Sequence, residues 1–467
     1  GGRITMTSFA PLVQAVIPAV VNVSAVQKTG KAAASDGDAA DGASAVRDRP
    51  SLDELLRKFL DQQDRKDLPT RPGLALGSGF VVDPSGYIVT DDHVLENADA
   101  VTVTFRDGAQ LRAKIIGRDP LTDLALLKID APHPLPYVRW GDSDAARVGD
   151  WVLAIGNPFG LDDTVSSGII SARGRDIHSG PYDDFLQIDA SINRGNSGGP
   201  TFDLDGRVIG INSAIYSPNG GSVGIGFAIP ANLARPVVEQ LRQHGKVERG
   251  WLGVQIQPVT ADIAQGFGLA KPGGALVAGI SPGGPAAHAG FAEGDVILSV
   301  NGQGISTMRD LPLIVAEMPI GDAANVVVWR QNKELRLQPV IGQMPETGQM
   351  ADLGQDQAAP PEKSGDIASG LKLAVLTAQM RHRLRVPANV TGVAVTAIGN
   401  DSALAGLDLL PGDVIEMIGQ RPVASPEDAM TELRAAAANA RTTVLVLINR
   451  HGTNRYLALP LAGNSSR

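Results

Sequence analysis

The sequence contains no cysteine. A thiol nucleophile, a disulfide framework and a cysteine-ligated zinc site are therefore excluded. Aromatic residues are also scarce, at 4% of 467 residues, whereas 54 glycines and 31 prolines are present. This balance favours turns and β structure over a helical bundle. The chain is long enough for about three domains of ordinary size.

An excess of positive charge and a long apolar run are also absent. The formal net charge is −9, so a nucleic-acid partner has no electrostatic support. The most apolar stretch near the N-terminus, 11–26, is interrupted by Gln14, Pro18 and Asn22. Because it is too short and too broken to span a bilayer, we expect no transmembrane segment. No signal peptide can be read, so either the protein is cytosolic or a targeting segment has already been removed.

Short apolar strands joined by tight turns recur in the first half of the chain. Their turns centre on Gly86, Asp107-Gly108 and Asp205-Gly206, which is typical of antiparallel barrels or sandwiches. A helical pattern over 231–244 stops at Gly245. We therefore place the end of this first domain at residue 246.

Residues 27–74 interrupt the β pattern with a stretch rich in Ala, Asp, Gly, Lys and Pro. Such a composition indicates a long loop insertion. Inside it, Ser51-Leu52-Asp53-Glu54 is a capping-box pattern that opens an amphipathic helix. Its apolar face needs a cover, either from its own domain or from a neighbouring subunit or client protein.

The second half contains an internal repeat. Residues 285–297 and 402–415 each have an Ala-rich helical turn, a Gly stop and then Gly-Asp before an apolar strand. Between the copies, 344–366 is rich in Gln, Pro, Asp and Gly and is interpreted as a linker. We predict one module over 247–343 and a second over 367–463.

Ser197 stands between glycines in Asn193-Arg194-Gly195-Asn196-Ser197-Gly198-Gly199-Pro200. Glycine permits a tight turn whose N–H groups can point into one space beside an exposed hydroxyl. Acyl transfer needs that combination of nucleophile and oxyanion donors. An ordinary surface turn explains the octapeptide equally well by itself.

A serine nucleophile needs a base and a group to orient it. His93 is the candidate base because it directly follows the predicted strand 87–90, and Asp123 is the candidate acid because it abuts the apolar run 124–127. A buried aspartate requires a hydrogen-bond donor, which an imidazole could supply. Taken singly, His93 could be structural and Asp123 a turn residue.

Chain order separates two folds that could carry this chemistry. The pattern Gly195-x-Ser197-x-Gly199 also fits the nucleophile elbow of α/β-hydrolases, but that elbow leads from a strand into a helix. Here a predicted hairpin, 201–213, follows the serine. The order His93, Asp123, Ser197 on strands and turns is that of chymotrypsin-type double β-barrels.

Several motifs resemble the HtrA family of bacterial periplasmic serine proteases, specifically its two-PDZ type. They are Gly77-Ser78-Gly79-Phe80, the segments around His93 and Asp123, and the stretches 154–160, 195–199 and 224–230. The resemblance implies a mainly β chain, with a chymotrypsin-like double β-barrel followed by two PDZ domains. One departure is Asp91-Asp92 before the histidine, where the family usually has an Asn. This change keeps the triad but alters the charge beside His93, and with it the expected pKa.

The resemblance also implies roles around the nucleophile. The N–H groups of Gly195 and Ser197 would form the oxyanion hole. The primary specificity pocket would be lined by Ile192, Ala214 and Ile215, which are aliphatic, so cleavage after Val, Ala or similar residues is expected. Core packing is the alternative role for these three side chains. Neither a metal nor a cofactor is implied.

The repeated modules resemble PDZ domains. In the first, Gly250 is followed by Trp251, Leu252, Gly253 and Val254, which resemble a loop that captures a peptide C-terminus through backbone N–H groups. The second has Gly370-Leu371-Lys372-Leu373 there, a weaker match that lacks the second glycine. A spacer or an oligomer contact is the alternative role for either module.

Together these features predict an ATP-independent serine endopeptidase of the periplasm that degrades unfolded or misfolded envelope proteins and is regulated by its PDZ domains. The family resemblance implies a homotrimer that can build larger cages, with Trp151 and Pro218 at positions resembling the trimer contact and Arg175 as a regulatory relay. Unfolded proteins and C-terminal peptides are the expected partners. A chaperone or holdase with secondary proteolysis, or a PDZ adaptor, are the alternatives.

Overall fold

The computed structural model describes residues 8–27, 74–157, 163–177, 179–193, 195–215, 222–345, 364–366, 371–384, 386–387, 390–398, 408–419, 421–438 and 443–461. The chain divides into two compact units, 1–247 and 248–467. No helix in the described ranges is long and apolar enough to cross a membrane. Of the predicted insertion 27–74, residues 28–73 lie outside the described ranges, and so does the amphipathic helix predicted inside it.

The first unit begins with a short helix and a closed six-stranded barrel. The strands close in the order β1-β2-β3-β6-β5-β4, all antiparallel. The turns at Gly86 and Gly108 both have positive φ, which explains the glycines there. The elements are α1 (Ala10–Val16), β1 (Val20–Gln27), β2 (Leu74–Asp83), β3 (Tyr87–Asp91), β4 (Ala98–Thr104), β5 (Gln110–Asp119) and β6 (Leu124–Ile129).

A second sheet follows in the same unit. Its order is β11-β8-β9-β10-β13-β12, and pairing of β11 with β12 closes it into a second barrel, while β7 lies parallel to β12. The two barrels confirm the expected chymotrypsin-like fold. The strands are β7 (Arg139–Trp140), β8 (Trp151–Gly156), β9 (Thr164–Arg175), β10 (Phe185–Ile188), β11 (Pro200–Phe202), β12 (Arg207–Ile215) and β13 (Gly226–Pro230).

Helix α2 (Ala231–His244) ends the unit. Its C-cap Gly245 has φ +71°, the left-handed conformation that a helix stop favours. Ala234, Val238 and Leu241 lie on its buried face and belong to the main hydrophobic core of the first unit. The periodicity predicted this helix because one apolar stripe faces the sheets.

The second unit contains two large sheets with similar strand orders and a separate two-stranded sheet, β14-β21. The first module has the order β15-β16-β17-β19-β20, and the second has β22-β23-β24-β25-β27-β28. The first module's elements are β14 (Gly250–Trp251), β15 (Val254–Pro258), α3 (Ala261–Gly266), β16 (Ala275–Ile280), α4 (Pro285–His288), β17 (Val296–Val300), β18 (Gln303–Gly304), α5 (Asp310–Ala316), β19 (Val326–Arg330), β20 (Lys333–Leu337) and β21 (Gly342–Gln343).

One strand of the second module lies within the predicted linker. Residues 364–366 belong to the predicted linker 344–366, yet they form β22 and pair with β23. Backbone pairing between strands leaves no mark in composition, so the linker prediction is wrong at this end. The elements are β22 (Ser364–Asp366), β23 (Leu371–Val375), α6 (Ala378–Arg383), β24 (Val393–Ile398), β25 (Val414–Ile418), β26 (Arg421–Pro422), α7 (Pro426–Ala438), β27 (Thr443–Arg450) and β28 (Thr453–Pro460).

Candidate active site

His93 begins a helical turn (His93–Leu95) immediately after β3. Its Nδ1 lies 2.8 Å from Asp123 Oδ2 and 3.0 Å from Asp123 Oδ1. The backbone N–H of His93 also donates to Asp123 Oδ1 at 3.0 Å. The structure therefore joins these two predicted residues by three hydrogen-bond contacts that fix the ring orientation.

Asp123 lies in the turn before β6 with a φ of +56°, which is uncommon for a residue with a side chain. Burial alone would raise the pKa of its carboxyl group. The charge of His93, the two hydrogen bonds from His93 and one from Ser213 outweigh that effect and lower the pKa. Asp123 is therefore ionised at neutral pH and holds the proton-bearing Nδ1 of the ring.

The imidazole of His93 is itself unusually basic. Burial lowers its pKa, but the charge and hydrogen bond of Asp123, followed by the charges of Asp91 and Asp92, raise it to about 9. The side chain is 25% exposed, so it remains open to a reacting partner. Asp91, His93 and Asp123 have ligand-type atoms within 4.8 Å of one another, but the contact of Nδ1 with Asp123 needs no metal ion to explain it.

Ser197 lies in the loop between β10 and β11. Its hydroxyl donates to the carbonyl of Ser213 at 3.4 Å, and Ser213 Oγ donates to Asp123 Oδ2 at 3.0 Å. Ser213 thus connects the predicted nucleophile with the predicted acid. Ser197 and His93, both of which are described, share no hydrogen bond in this structure.

Two backbone N–H groups around Ser197 have no backbone acceptor among the described residues. Gly195 has φ +93°, a conformation that glycine adopts readily. The N–H groups of Asn196 and Gly198 donate to the carbonyls of Asn193 and Asn212. In contrast, the N–H groups of Gly195 and Ser197 donate to no backbone carbonyl in the described part of the chain.

Ser78 supports this loop, and the sequence analysis assigned it no role. Its hydroxyl donates to the carbonyl of Gly195 and accepts from the N–H of Asn157 at 2.8 Å. Its backbone N–H donates to the carbonyl of Ser197 at 2.8 Å. The Gly-Ser-Gly motif around Ser78 was a signal for this role, whereas nothing in the local sequence marked Ser213.

The predicted pocket residues divide between two groups. Ile192 is 2% exposed and packs with the partly buried Ile215 in one cluster of the second barrel, while Ala214 packs in the main core. A cavity of about 530 Å³ adjoins the acid–base pair but is lined by none of these three. Its walls include His93, Asp123, Ser213, Arg118, Tyr182 and Leu233.

Of the predicted regulatory and subunit-contact residues, Arg175 and Trp151 are described, and their recorded contacts do not involve the catalytic residues. Arg175 ends β9, and its Nε donates to Gln187 Oε1 at 2.8 Å. Trp151 is 51% exposed, and its ring lies 5.8 Å from that of Phe9. Pro218 falls outside the described residues.

The predicted peptide loop of the first module precedes the edge strand β15. The carbonyls of Leu252 and Gly253 accept from Ala286 and Ser281, but their N–H groups donate to no backbone carbonyl among the described residues. Gly253 has φ +78°. Two adjacent unused N–H groups are the geometry that captures a carboxylate.

The strand register matches the residues of the second module to this loop at different positions from those that the sequence motifs suggested. Leu371 begins β23 opposite Ile398, just as Val254 begins β15 opposite Ile280. Gly370, which is not itself described, therefore matches Gly253 in chain position and does not match Gly250. The second module therefore has the second glycine of the loop motif, and it differs from the first module in the residues before that glycine.

Comparisons with known proteins agree with this geometry. The family model for a trypsin-like peptidase domain matches residues 77–211, and that for a PDZ domain matches 250–338. A probable periplasmic serine endoprotease, DegP-like, of Brucella suis is 45% identical over 97% of this chain and 89% of its own length. One from Pseudomonas fulva is 40% identical, over 98% of this chain and 94% of its own.

The solved structures that this chain resembles include proteases as well. The HtrA-type protease AlgW with a tripeptide has a TM-score of 0.60 at 38% identity and covers 73% of this chain and 99% of its own. A serine endoprotease from Yersinia pestis has a TM-score of 0.51 at 34% identity, covering 73% and 99%. Double barrels with this site, joined to a PDZ domain, define a trypsin-like serine endoprotease. The chain belongs to the HtrA family, among its DegP-like members.

Proposed function

We propose that this chain is an ATP-independent endopeptidase of the bacterial periplasm that degrades unfolded or misfolded envelope proteins, with Ser197 as nucleophile, His93 as base and Asp123 as the orienting acid. The contact that carries the proposal is the paired hydrogen bonding of His93 Nδ1 with Asp123. The bridge from Asp123 through Ser213 to Ser197 adds to it. Relatives named as periplasmic proteases support the compartment.

The chemistry follows from these positions. Ser197 Oγ bonds to the peptide carbonyl carbon as its proton moves to Nε2 of His93, and Asp123 stabilises the imidazolium. The C–N bond then breaks, and the imidazolium returns the proton to the leaving amine. Water repeats the sequence on the acyl-enzyme and releases Ser197. The unused N–H groups of Gly195 and Ser197 would stabilise the oxyanion by about 3 kcal/mol per donor.

Substrate selection would come from two places. Ile192, Ala214 and Ile215 are all aliphatic, so a pocket that they line would favour cleavage after Val or Ala over Lys or Arg. The loop Trp251–Val254 would hold a C-terminal peptide; relatives described with a bound tripeptide or decapeptide support peptide binding. The exposed ring of Trp151 supports a trimer contact, and the exposed position of Arg175 at the end of β9 supports a regulatory relay.

Digestion of casein by the full chain tests the catalytic assignment. We expect Ser197→Ala to lower kcat by at least about 10⁴-fold, because the covalent step is lost. Ser85→Ala, which removes an exposed turn hydroxyl, is the matched control and should digest casein at the wild-type rate. A fluorophosphonate should label Ser197 in wild type and in the control alone.

Other outcomes would redirect the assignment. Equal digestion by wild type and Ser197→Ala would contradict the nucleophile assignment. No digestion by wild type over a range of temperature and pH would contradict the protease role. Suppression of aggregation by Ser197→Ala would add a holdase activity to the proteolysis. Peptide substrates with Lys at the cleaved position outperforming those with Val would contradict the pocket.

A further inference from the structure

Asp91, the last residue of β3, is a buried acid without a hydrogen-bond partner. Its side chain is 0% exposed. Among the described residues, neither carboxyl oxygen accepts or donates a hydrogen bond. Buried polar groups in proteins are almost always paired, because desolvation without compensation is unfavourable. An exception next to a reactive centre therefore calls for a functional explanation.

The neighbouring Asp92 shows what a structural acid looks like in the same turn. Arg118 donates to Asp92 Oδ1 from Nε at 2.6 Å and to Asp92 Oδ2 from Nη2 at 3.1 Å. This bidentate pair accounts for the burial of Asp92. No comparable cation faces Asp91 among the residues that the structure places, so the two adjacent acids have different roles.

The carboxyl group of Asp91 faces the acid–base pair. Its Oδ2 lies 4.0 Å from His93 Nδ1, the same ring nitrogen that contacts Asp123. Asp91 is also paired across the sheet with Leu124, the residue after Asp123. On the other side, a Cβ added to Gly198 would approach the N of Asp91 to 2.9 Å, so the nucleophile loop closes over it.

We propose that Asp91 is a positioning residue for the proteolytic reaction, acting through His93 by holding a second buried carboxyl group beside the imidazole. The proposal rests on the proposed role of His93 as base. An anion 4.0 Å from Nδ1 stabilises the imidazolium that forms when Ser197 is deprotonated. Asp91 is sealed from solvent, so it cannot contact the substrate.

The charged groups that act on Asp91 in the described part of the chain are Asp92, His93 and Asp123. Burial is the largest effect, and with the charges of Asp123 and Asp92 it holds the pKa of Asp91 well above its ordinary value, while the charge of His93 opposes this. Arg118 offsets the charge of Asp92. Because the carboxyl oxygen lies 4.0 Å from Nδ1, the charge state of each group affects the protonation of the other, and the two titrate as a coupled set. Loss of the Asp91 charge makes the imidazolium easier to deprotonate.

The substitution Asp91→Asn tests this, because it keeps the shape of the side chain and removes the charge. We expect the acid limb of the kcat/KM profile to move about one unit towards lower pH, with KM unchanged and the plateau kcat several-fold lower. Asp130→Asn, which removes an exposed acid paired with Lys128, is the matched control and should leave the profile in place. An acid limb that is unmoved, or moved to higher pH, would overturn the proposal.

A second measurement needs no turnover and so separates this proposal from the proposed function. In full-length Ser197→Ala with ¹⁵N-labelled histidine, the His93 titration midpoint should fall by about one unit when Asp91→Asn is added. In the chain with Asp91 intact, the Asp91 carboxyl carbon resonance should change over the pH range in which His93 titrates. Equal midpoints, or an Asp91 resonance that does not respond in that range, refute the coupling even if proteolysis is confirmed.

Discussion

The two modules of the second unit have equivalent strands, β15 and β23, but these two strands have different neighbours. In the first, β15 pairs with β16 and is the edge of its sheet in the described part of the chain. In the second, β23 takes the place of β15, and both strands have a register shift after their second residue. There, however, β22 (Ser364–Asp366) covers the outer side of β23.

This difference decides which module can accept a peptide strand. Peptides bind PDZ domains by adding a strand to an open sheet edge, with the carboxylate in the loop before it. In the first module no strand pairs with that edge among the described residues. In the second, β22 runs antiparallel to β23, with Asp366 opposite Lys372 near the loop, as an added peptide would. The chain itself therefore occupies the equivalent position.

A buried ion pair is the feature that both modules keep. Asp295 and Asp413, each in the Gly-Asp of the repeat, are 0% and 1% exposed. Arg330 Nε and Arg450 Nε each donate to them at 2.6 Å, and a second guanidinium nitrogen completes each pair. Each arginine also reaches a carbonyl near the preceding turn, so the pair ties a loop to a strand.

The largest effect is predicted for a substitution that breaks this shared ion pair. Asp295→Ala should destabilise the first module by about 2 kcal/mol, because the partly buried guanidinium of Arg330 loses its partner and the N–H of Ala292 loses its acceptor. Asp413→Ala should cost less, because Arg450 keeps a contact with the half-exposed Asp408 at 3.0 Å. Hydrogen exchange read by mass spectrometry resolves the modules and should show faster exchange of β17 than of β25 in the respective variants. A larger effect in the second module would contradict this ranking.

The open edge leads to the next prediction, on peptide affinity. A peptide with a free, apolar C-terminus should bind the full-length wild type at one site. Gly253→Ala should weaken binding at least about tenfold, because φ +78° is unfavourable for alanine and the added Cβ would lie 3.2 Å from the Trp251 ring. Gly302→Ala has the same strain in an open turn (φ +81°) and is the control. Calorimetry gives both affinity and stoichiometry.

Opening the second module sharpens the same comparison. Gly365→Pro should disrupt β22, because proline cannot donate in the strand ladder, and a second peptide should then bind per chain. A C-terminally amidated peptide should bind neither module well. One bound peptide in both wild type and Gly365→Pro would mean that β22 is not what closes the second edge.

Local patterns in the sequence were sufficient for part of this picture. Turn glycines such as Gly86 predicted hairpins, and the order His93, Asp123, Ser197 predicted double barrels, because both depend on short segments and on chain order. The partner of Asp295 is 35 residues away in Arg330, and Ser213 is 90 residues from Asp123. Such pairings depend on three-dimensional packing, which residue spacing does not encode.

The face shared by the modules carries the smallest predicted effect. Helix α3 packs on β27 and β28, where Ile263 and Phe267 of the first module join Leu445 and Tyr456 of the second in one buried cluster. At this face, burial and then the charge of Glu293 raise the pKa of Glu416 to about 7. One oxygen of Glu416 has no partner among the described residues. The fold therefore favours the protonated, uncharged form of the Glu416 side chain.

The sign of the pH dependence follows from that raised pKa. The folded unit holds a proton on Glu416 up to about pH 7, whereas the unfolded chain releases it near the ordinary value of 4.5, so stability falls as pH rises between these values. Because Glu416 is partly exposed, screening limits the loss to about 1 kcal/mol. Glu416→Gln should remove this slope in urea unfolding followed from pH 4.5 to 8, while Glu334→Gln, at an exposed position on β20, should keep it. Parallel slopes for wild type and Glu416→Gln would show that the modules do not meet at this carboxyl in solution.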